Sequence, residues 1–386
     1  MKILGINISH HSSSCLLEDG NILYFLEEER ISRIKEHCYL WNGETAFFIN
    51  KLKSYTNHVD YIIFSSFGRE IGDDSGKYSN HDKDPDKYLV EKLLTQIKES
   101  GIGVGEVVFS KNEHHLYHAS NAFYGSGFDD AVCLVMDGGG ALYNDEDKSL
   151  ARLTGEEDPL FREIESYYQF SYGQEPKTLH KHYTYEDDFE KSFVYKHNGN
   201  VFSSTRSNGG LFNILGSVLG FNSGVDAGKV MGLSSYAKKE KGDSDRWYEN
   251  IDWFVEKEGE WITSEKVRIK DFDDNCKFNR FKFEEEDLRL KSKLAKKLQD
   301  ETLNHTNRLI KKAFELSDSK NIVLSGGYSL NCVNNFKYLD SLPSDANIFI
   351  DPISNDAGTA MGAAKYLWYK LSGSTNKNPL KNLFLG

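Results

Sequence analysis

Cysteine is scarce. Five thiols in 386 residues (Cys15, Cys38, Cys133, Cys276 and Cys332) are odd in number, scattered, and contain no CxxC pair. That excludes a disulfide framework and a zinc knuckle, and it fits a reducing compartment. Long apolar runs are missing as well. The opening KILGINIS is broken by Asn7, Ser9 and His10 far short of a signal-peptide core, and no later stretch reaches the ~20 apolar residues of a membrane span. A soluble, cytoplasmic protein without membrane contact is expected. Basic charge also falls short, with 47 Lys and Arg against 59 Asp and Glu for a net charge of -12. This disfavours an electrostatic grip on a long nucleic-acid backbone and leaves small molecules or proteins as the expected partners.

What is present centres on residues 112–140, NEHHLYHASNAFYGSGFDDAVCLVMDGGG. His114 and His118 are four apart, so on a helix they leave one face a turn apart and can share a metal. Two helix-face histidines packed under a loop are the alternative. Residues 131–136 read as a buried strand that delivers Asp137 into the bend Gly138-Gly139-Gly140. A strand ending in an acidic glycine turn brings backbone amides up to a phosphate. The length exceeds what one small core organises, so two domains or two halves of a bilobal domain are expected.

Residues 3–8, 14–17 and 22–26 read as three short strands with an Asp19-Gly20 hairpin signal. Between the first two lies His10-His11-Ser12-Ser13-Ser14, either an ordinary connection or a polar turn with chemistry. Glu27-Glu28-Glu29-Arg30 reads as a solvated face. Helical spacing is expected over 44–52, 90–97 and 293–316, buried strands over 61–64, 322–324 and 347–350, and a mobile loop over 69–87. Residues 131–137 echo 3–8, which suggests a duplicated architecture of two αβ halves, each opened by a meander. Residues 141–200 are tyrosine-rich and carry one expected strand, near 163–168. The segments Gly228-Lys229-x-x-Gly232 and Ser325-Gly326-Gly327 suit either close packing or a nucleotide at a glycine turn before a helix. Residues 237–292 read as charged and loop-like, and KNPLKNLFLG as a trailing tail.

Six segments in order, ILGINISHHSSSCLLEDG, EEERISRIK, HHLYHASNAFYGSGFDDAVCLVMDGGG, GKVMGLSSYA, LSGGYSLNCVNN and DPISNDAGTAMGAA, resemble one family across nearly the whole chain. It is that of the O-carbamoyltransferases acting on nodulation factors, cephamycins and aminoglycosides. Their first domain is similar to the tRNA threonylcarbamoyl transferase enzymes. The resemblance implies an α/β, actin-like and sugar-kinase-like fold, with nucleotide and metal between two similar halves. It implies a first half over 1–120, with 359–372 free to pack back on it, a second half over 121–372 with an insertion at 237–292, and a tail or linker at 373–386.

The same resemblance implies that His114, His118 and Asp356 hold a divalent metal, expected to be iron, whose open positions a phosphate or the transferred group fills. His11 matches the family's histidine in the first turn and Ser12 stands where the family has an aspartate. Lys35 would neutralise phosphate or carbamoyl oxygen, and Asp137 with Gly138 and Gly139 would line the phosphate site. Gly228, Lys229, Gly232, Gly326, Gly327 and Asn331 would hold the nucleoside. The implied activity moves a carbamoyl group to a hydroxyl of a small molecule, sugar or nucleoside. Its donor is carbamoyl adenylate, made from ATP and carbamoyl phosphate, with His11 as base or positioning group. The family continues into an adenylate-making domain, so that domain or a separate subunit is an expected partner, and a homodimer is allowed. Alone, the chain is expected to bind adenine nucleotide and metal but to turn over carbamoyl phosphate poorly. The alternatives are an actin-fold ATPase or kinase, and an inactive nucleotide-binding regulatory module.

Overall fold

A computed structural model of the chain describes residues 1–38, 46–66, 85–109, 113–143, 149–154, 159–185, 192–222, 225–238, 251–267, 284–383 and 385. The expected mobile loop at 69–87 lies, except for 85–87, outside these. Two sheets with the same topology organise them. The first carries β1 (Lys2–Asn7), β2 (Ser13–Glu18) and β3 (Asn21–Glu27) as an antiparallel meander, with β4 (His58–Ser66) and β5 (Gly103–Phe109) added parallel to β1 in the order β3-β2-β1-β4-β5. Asp19 and Gly20 both take positive φ, as a two-residue hairpin turn requires.

The second sheet repeats this plan. Its meander is β6 (Asp130–Met136), β7 (Phe161–Ser171) and β8 (Lys177–Tyr185), which β9 (Val194–His197) and β10 (Asn200–Ser203) extend on one side. A separate hairpin, β11 (Phe254–Lys257) and β12 (Glu260–Thr263), stands apart, while β13 (Asn321–Ser325) and β14 (Asn347–Ile350) run parallel to β6. Outward from its meander each sheet therefore reads strand three, two, one, four, five. The echo between residues 3–8 and 131–137 reflects this equivalence, since β1 and β6 are the corresponding central strands.

The period-2 alternation of β6 explains the layering. Val132, Leu134 and Met136 enter one buried cluster and Ala131, Cys133 and Val135 another, so both faces of the strand are covered. The helices are α1 (Glu29–Ser32), α2 (Phe48–Tyr55), α3 (Pro85–Glu99), α4 (His114–Ser126), α5 (Ser149–Thr154), α6 (Asn208–Val218), α7 (Ala227–Leu233), α8 (Glu285–Leu316), α9 (Cys332–Asn335) and α10 (Ala357–Ser372). Apolar residues of α2 and α3 cover the outer face of the first sheet, and those of α6, α7 and α8 the outer face of the second. Helices α4 and α10 lie between the sheets in a shared core. The result is the α/β fold of two similar halves expected of the actin-like, sugar-kinase-like class.

The two inner helices pack backbone against backbone. A methyl group at Gly362 of α10 would sit 1.9 Å from the carbonyl oxygen of Tyr117 in α4. Each inner helix also crosses over. Helix α4 follows the last strand of the first sheet but lies mainly on β6, β7 and β13, while α10 follows the last strand of the second sheet and lies on β1, β2 and β4. Residues 120 and 121 are neighbours inside α4.

Five sequence readings change. Glu28 is not part of a solvated face: it is buried, its carboxylate accepts the N–H of Phe47 ahead of α2, and burial pushes its pKa up to about 7. Residues 141–200 hold β7 to β9 and the start of β10, and the insertion at 237–292 contains the β11–β12 hairpin. Helix α8 begins at Glu285 rather than near residue 293. The tail does not trail off. The Leu380 N–H donates to Gly125, Asn378 donates to Gly20, and the Leu385 carbonyl accepts the Phe25 N–H on the edge strand β3.

Candidate active site

The site forms where the carboxyl ends of β1, β6 and β13 meet the amino ends of α4 and α10. His114 is the first residue of α4 and Asp356 the residue capping α10, so each stands at the amino end of an inner helix. His114 and His118 leave one helix face, as their spacing predicts, with Nε2 atoms 3.1 Å apart and rings nearly perpendicular. Asp356 Oδ1 lies 3.6 Å from His114 Nε2 and 3.5 Å from His118 Nε2. Asp137 Oδ2 lies 3.5 Å from His114 Nε2, so the cluster has four members and not only the three expected from sequence. All four are buried, and one donor atom from each lies within 4.8 Å of the others.

Burial alone penalises every charge here, yet the opposite charges outweigh it. Desolvation lowers the His114 pKa, but the carboxylates of Asp356 and Asp137 push it up to about 9. Burial likewise opposes ionisation of Asp137 and Asp356, and the surrounding imidazoles hold both well below the usual carboxylate range. Two imidazole nitrogens and two carboxylates converging in a buried spot suit a divalent first-row cation, which would supply the positive charge that two buried carboxylates need. Further contacts fix the carboxylates. Gly327 N–H donates to Asp137 Oδ1 at 3.0 Å, Ser9 Oγ donates to Asp356 Oδ2 at 3.3 Å, and His10 Nε2 stands 3.4 Å from that oxygen. Behind His114, His115 sits against Ser166 at 2.8 Å, and burial pushes its pKa down to about 4, so it stays neutral.

Asp137 and Asp356 also line a cavity of about 360 Å³. Its lining is polar at His10, His11, Lys35 and Glu36 and apolar at Phe212, Val225, Ala227, Met231 and Leu330. His11 takes a left-handed backbone, φ +57°, as does Glu36 at +56°. Such conformations cost a non-glycine residue on the order of 1 kcal/mol or more and cluster at functional sites. Burial and the neighbouring His10 lower the His11 pKa, which favours the neutral imidazole. Lys35 reaches across from the first half, and its amine donates to the Val225 carbonyl.

The remaining sequence-selected residues divide. Gly138, Gly228, Gly327 and Asn331 line the cavity. Gly139 lies behind the turn, where a Cβ would come 2.3 Å from Arg162 Cδ. Gly326 has φ +89°, and a Cβ there would meet the Met136 carbonyl at 2.2 Å, so glycine lets the β13 turn pass over the end of β6. Lys229 is paired with Asp226 at 2.9 Å and, like Gly232 in α7, does not line the cavity. The Asn331 amide exchanges two hydrogen bonds with Gln299 and caps α9 through Asn334 N–H. Sequence reasoning missed Ser9, His10 and Glu36. The signal for Glu36 was its place beside Lys35, hidden by an otherwise charged and exposed run.

With this geometry in hand, comparison with known proteins gives a consistent set. The pattern of the family described as Carbamoyltransferase N-terminus matches residues 2–365. The uncharacterized protein sll1178 of a Synechocystis strain is 26% identical over 397 residues, covering 95% of this chain and 57% of that protein. Nodulation protein NolNO of Sinorhizobium fredii is 25% identical, covering 98% and 49%. The chain spans about half the length of the curated relatives it matches. Among solved structures, the fold is shared with full-length HypF in a phosphate- and nucleotide-bound form, at TM-score 0.53 and 14% identity over 97% of this chain and 56% of that one. It is also shared with T. kodakarensis HypF, at TM-score 0.55 and 11% identity over 96% and 48%. The α/β halves, the conjunction of motifs and the match from residue 2 to residue 365 lead to one assignment: the chain belongs to the carbamoyltransferase N-terminus family.

Proposed function

We propose that the chain is the transfer unit of an O-carbamoyltransferase, which moves a carbamoyl group from carbamoyl adenylate to a hydroxyl acceptor. The observation that carries this reading is the joining of the four-donor cluster to the cavity, since Asp137 and Asp356 belong to both. The apolar lining of Phe212, Met231 and Leu330 suits an adenine ring. Gly138 and Gly327 line the same cavity, where their lack of side chains leaves room for phosphate oxygens. An actin-fold kinase or ATPase would use the glycine turns and Asp137 equally well, but it gives the His114–His118–Asp356 grouping no task.

The step is a simple displacement at the carbamoyl carbon. The acceptor O–H gives its proton to His11, whose buried imidazole is neutral and free to take it. The acceptor oxygen bonds to the carbamoyl carbon, and the bond from that carbon to the AMP phosphate oxygen breaks, with both electrons leaving on the phosphate. Lys35, released from the Val225 carbonyl, offers its ammonium to the departing phosphate. A divalent metal held by His114, His118, Asp137 and Asp356 would supply Lewis acidity toward carbamoyl or phosphate oxygen. Iron suits this donor set. ATP and carbamoyl phosphate are consumed in forming the adenylate, a task assigned to a partner domain or subunit. Among the described residues no helix is long and apolar enough to cross a membrane.

The test supplies the purified chain with synthetic carbamoyl adenylate and a panel of sugar, nucleoside and antibiotic hydroxyl compounds, followed by mass spectrometry. Gain of one carbamoyl group by an acceptor, with release of AMP, is expected. A chain that binds the adenylate yet carbamoylates no hydroxyl on the panel, and instead splits ATP, would turn the reading to the ATPase.

A further inference from the structure

Ser12 stands beside His11 where the family resemblance leads one to expect an aspartate, and serine cannot supply a negative charge. Its hydroxyl is committed to the loop, since it donates to the Ser9 carbonyl at 2.8 Å. A carboxylate nevertheless faces the imidazole. Glu36 Oε1 lies 3.8 Å from His11 Nε2, with both side chains more than four-fifths buried and both residues lining the cavity.

This approach is built by the backbone. Ser12 N–H donates to the His37 carbonyl at 3.0 Å, and the Ser12 carbonyl accepts Glu28 N–H at 2.9 Å, so the segments 9–13 and 28–37 are sewn together on either side of the pair. Glu36 N–H is anchored in turn on Glu29 Oε2 at 2.9 Å. His11 and Glu36 are each held in the left-handed region, which turns the two side chains into the same space and is retained only where the surroundings enforce it. Among the described residues, the buried Nδ1 atom of His11 has no hydrogen-bond partner.

We infer that Glu36 is the positioning residue of His11: a carboxylate from the second segment takes the place of the absent acid at position 12 and fixes which ring nitrogen carries the proton. Glu36 holds Nε2 as the protonated nitrogen, which leaves the lone pair on Nδ1. At 3.8 Å the approach is longer than a hydrogen bond, and it is expected to shorten when a ligand occupies the cavity, as catalytic contacts in unliganded sites commonly do.

The inference rests on the transfer reading for the use made of His11, but not for the pairing itself, and the test separates the two. Nitrogen-15 spectra of the full chain, with the His11 signals assigned by their loss in His11→Gln, are compared for wild type, Glu36→Gln, Glu36→Asp and Glu27→Gln. Glu36→Gln is expected to shift the His11 ring resonances toward mixed tautomers, Glu36→Asp to restore them in part, and Glu27→Gln, whose carboxylate pairs with Arg30, to leave them unchanged. Metal content is expected to stay within about twofold. Turnover with carbamoyl adenylate is expected to fall roughly tenfold to a hundredfold in Glu36→Gln, with KM little changed, as for other partners that orient an imidazole. Unmoved His11 resonances in Glu36→Gln would overturn the inference, as would loss of metal together with the signal. If wild type carbamoylates nothing, the transfer reading fails while the spectra still decide the pairing.

Discussion

The α-carbon of Gly362 rests against the carbonyl of Tyr117, leaving no room for a methyl group, which would lie 1.9 Å from that oxygen. Both helices bring ligands to the cluster at their amino ends, so this contact sets the distance between His114 and Asp356. Gly362→Ala forces the helices apart and is expected to destabilise the protein by about 3 kcal/mol, at the upper end for overpacking. Urea unfolding measures it. A loss under 1 kcal/mol would show that the helix contact yields freely.

Metal removal is the second expectation. A metal present at a hundred times its dissociation constant stabilises the folded state by about 2.7 kcal/mol, so excess chelator should lower the melting temperature of the wild type. His118→Ala removes one of four donors and should abolish both the bound metal and the effect of chelator. Elemental analysis and calorimetry check this, and a melting temperature indifferent to chelator in wild type would argue against a resident metal.

For the metal-free chain the charge balance of the cluster has a pH signature. The His114 pKa is raised in the folded state from 6.5 to about 9, so its contribution is fully present below pH 6.5 and is lost as pH rises through 9. The loss is on the order of 3 kcal/mol. Lys365, whose burial pushes its amine down to about 8, works in the opposite sense above that pH. The His114 share is therefore the difference between wild type and His114→Gln in chelator, measured by denaturant unfolding at pH 6 and pH 9.5. An equal difference at both pH values would remove the argument.

Lys35 bridges the cleft to the Val225 carbonyl, but its proposed target is phosphate. Lys35→Met should weaken binding of adenosine monophosphate about tenfold or more, the worth of a charge-assisted hydrogen bond, and leave adenosine unaffected. Calorimetric titration of both ligands distinguishes this from a purely structural latch, which would alter the two equally.

The parts of the fold legible in the sequence are those where burial is uniform. Residues 3–8 and 131–136 stand out because both faces of their strands are covered, and the pair His114 and His118 because helix geometry fixes their relation whatever surrounds them. Residues 141–200 hid their strands because β7 and β8 bury charged pairs, Glu163 with Lys181 and Glu165 with His182, which break the apolar alternation. Glu28 read as solvated since its partner, the Phe47 N–H, comes nineteen positions later. Asp137 joined the histidines only because the fold brings the end of β6 beside the start of α4, a relation that no spacing encodes.

The crossing of α4 and α10 makes each half the custodian of the other's missing piece. Cut in the short link between Ser126 and Asp130, the chain would give one fragment whose sheet lacks its inner helix and a second whose sheet lacks the same, each holding the part the other needs. Neither could close its core alone, and mixing them should restore both cores and the cluster in one bimolecular event, as in a domain-swapped pair. The site would then report reassembly directly, because His114 and Asp356 would arrive on different polypeptides.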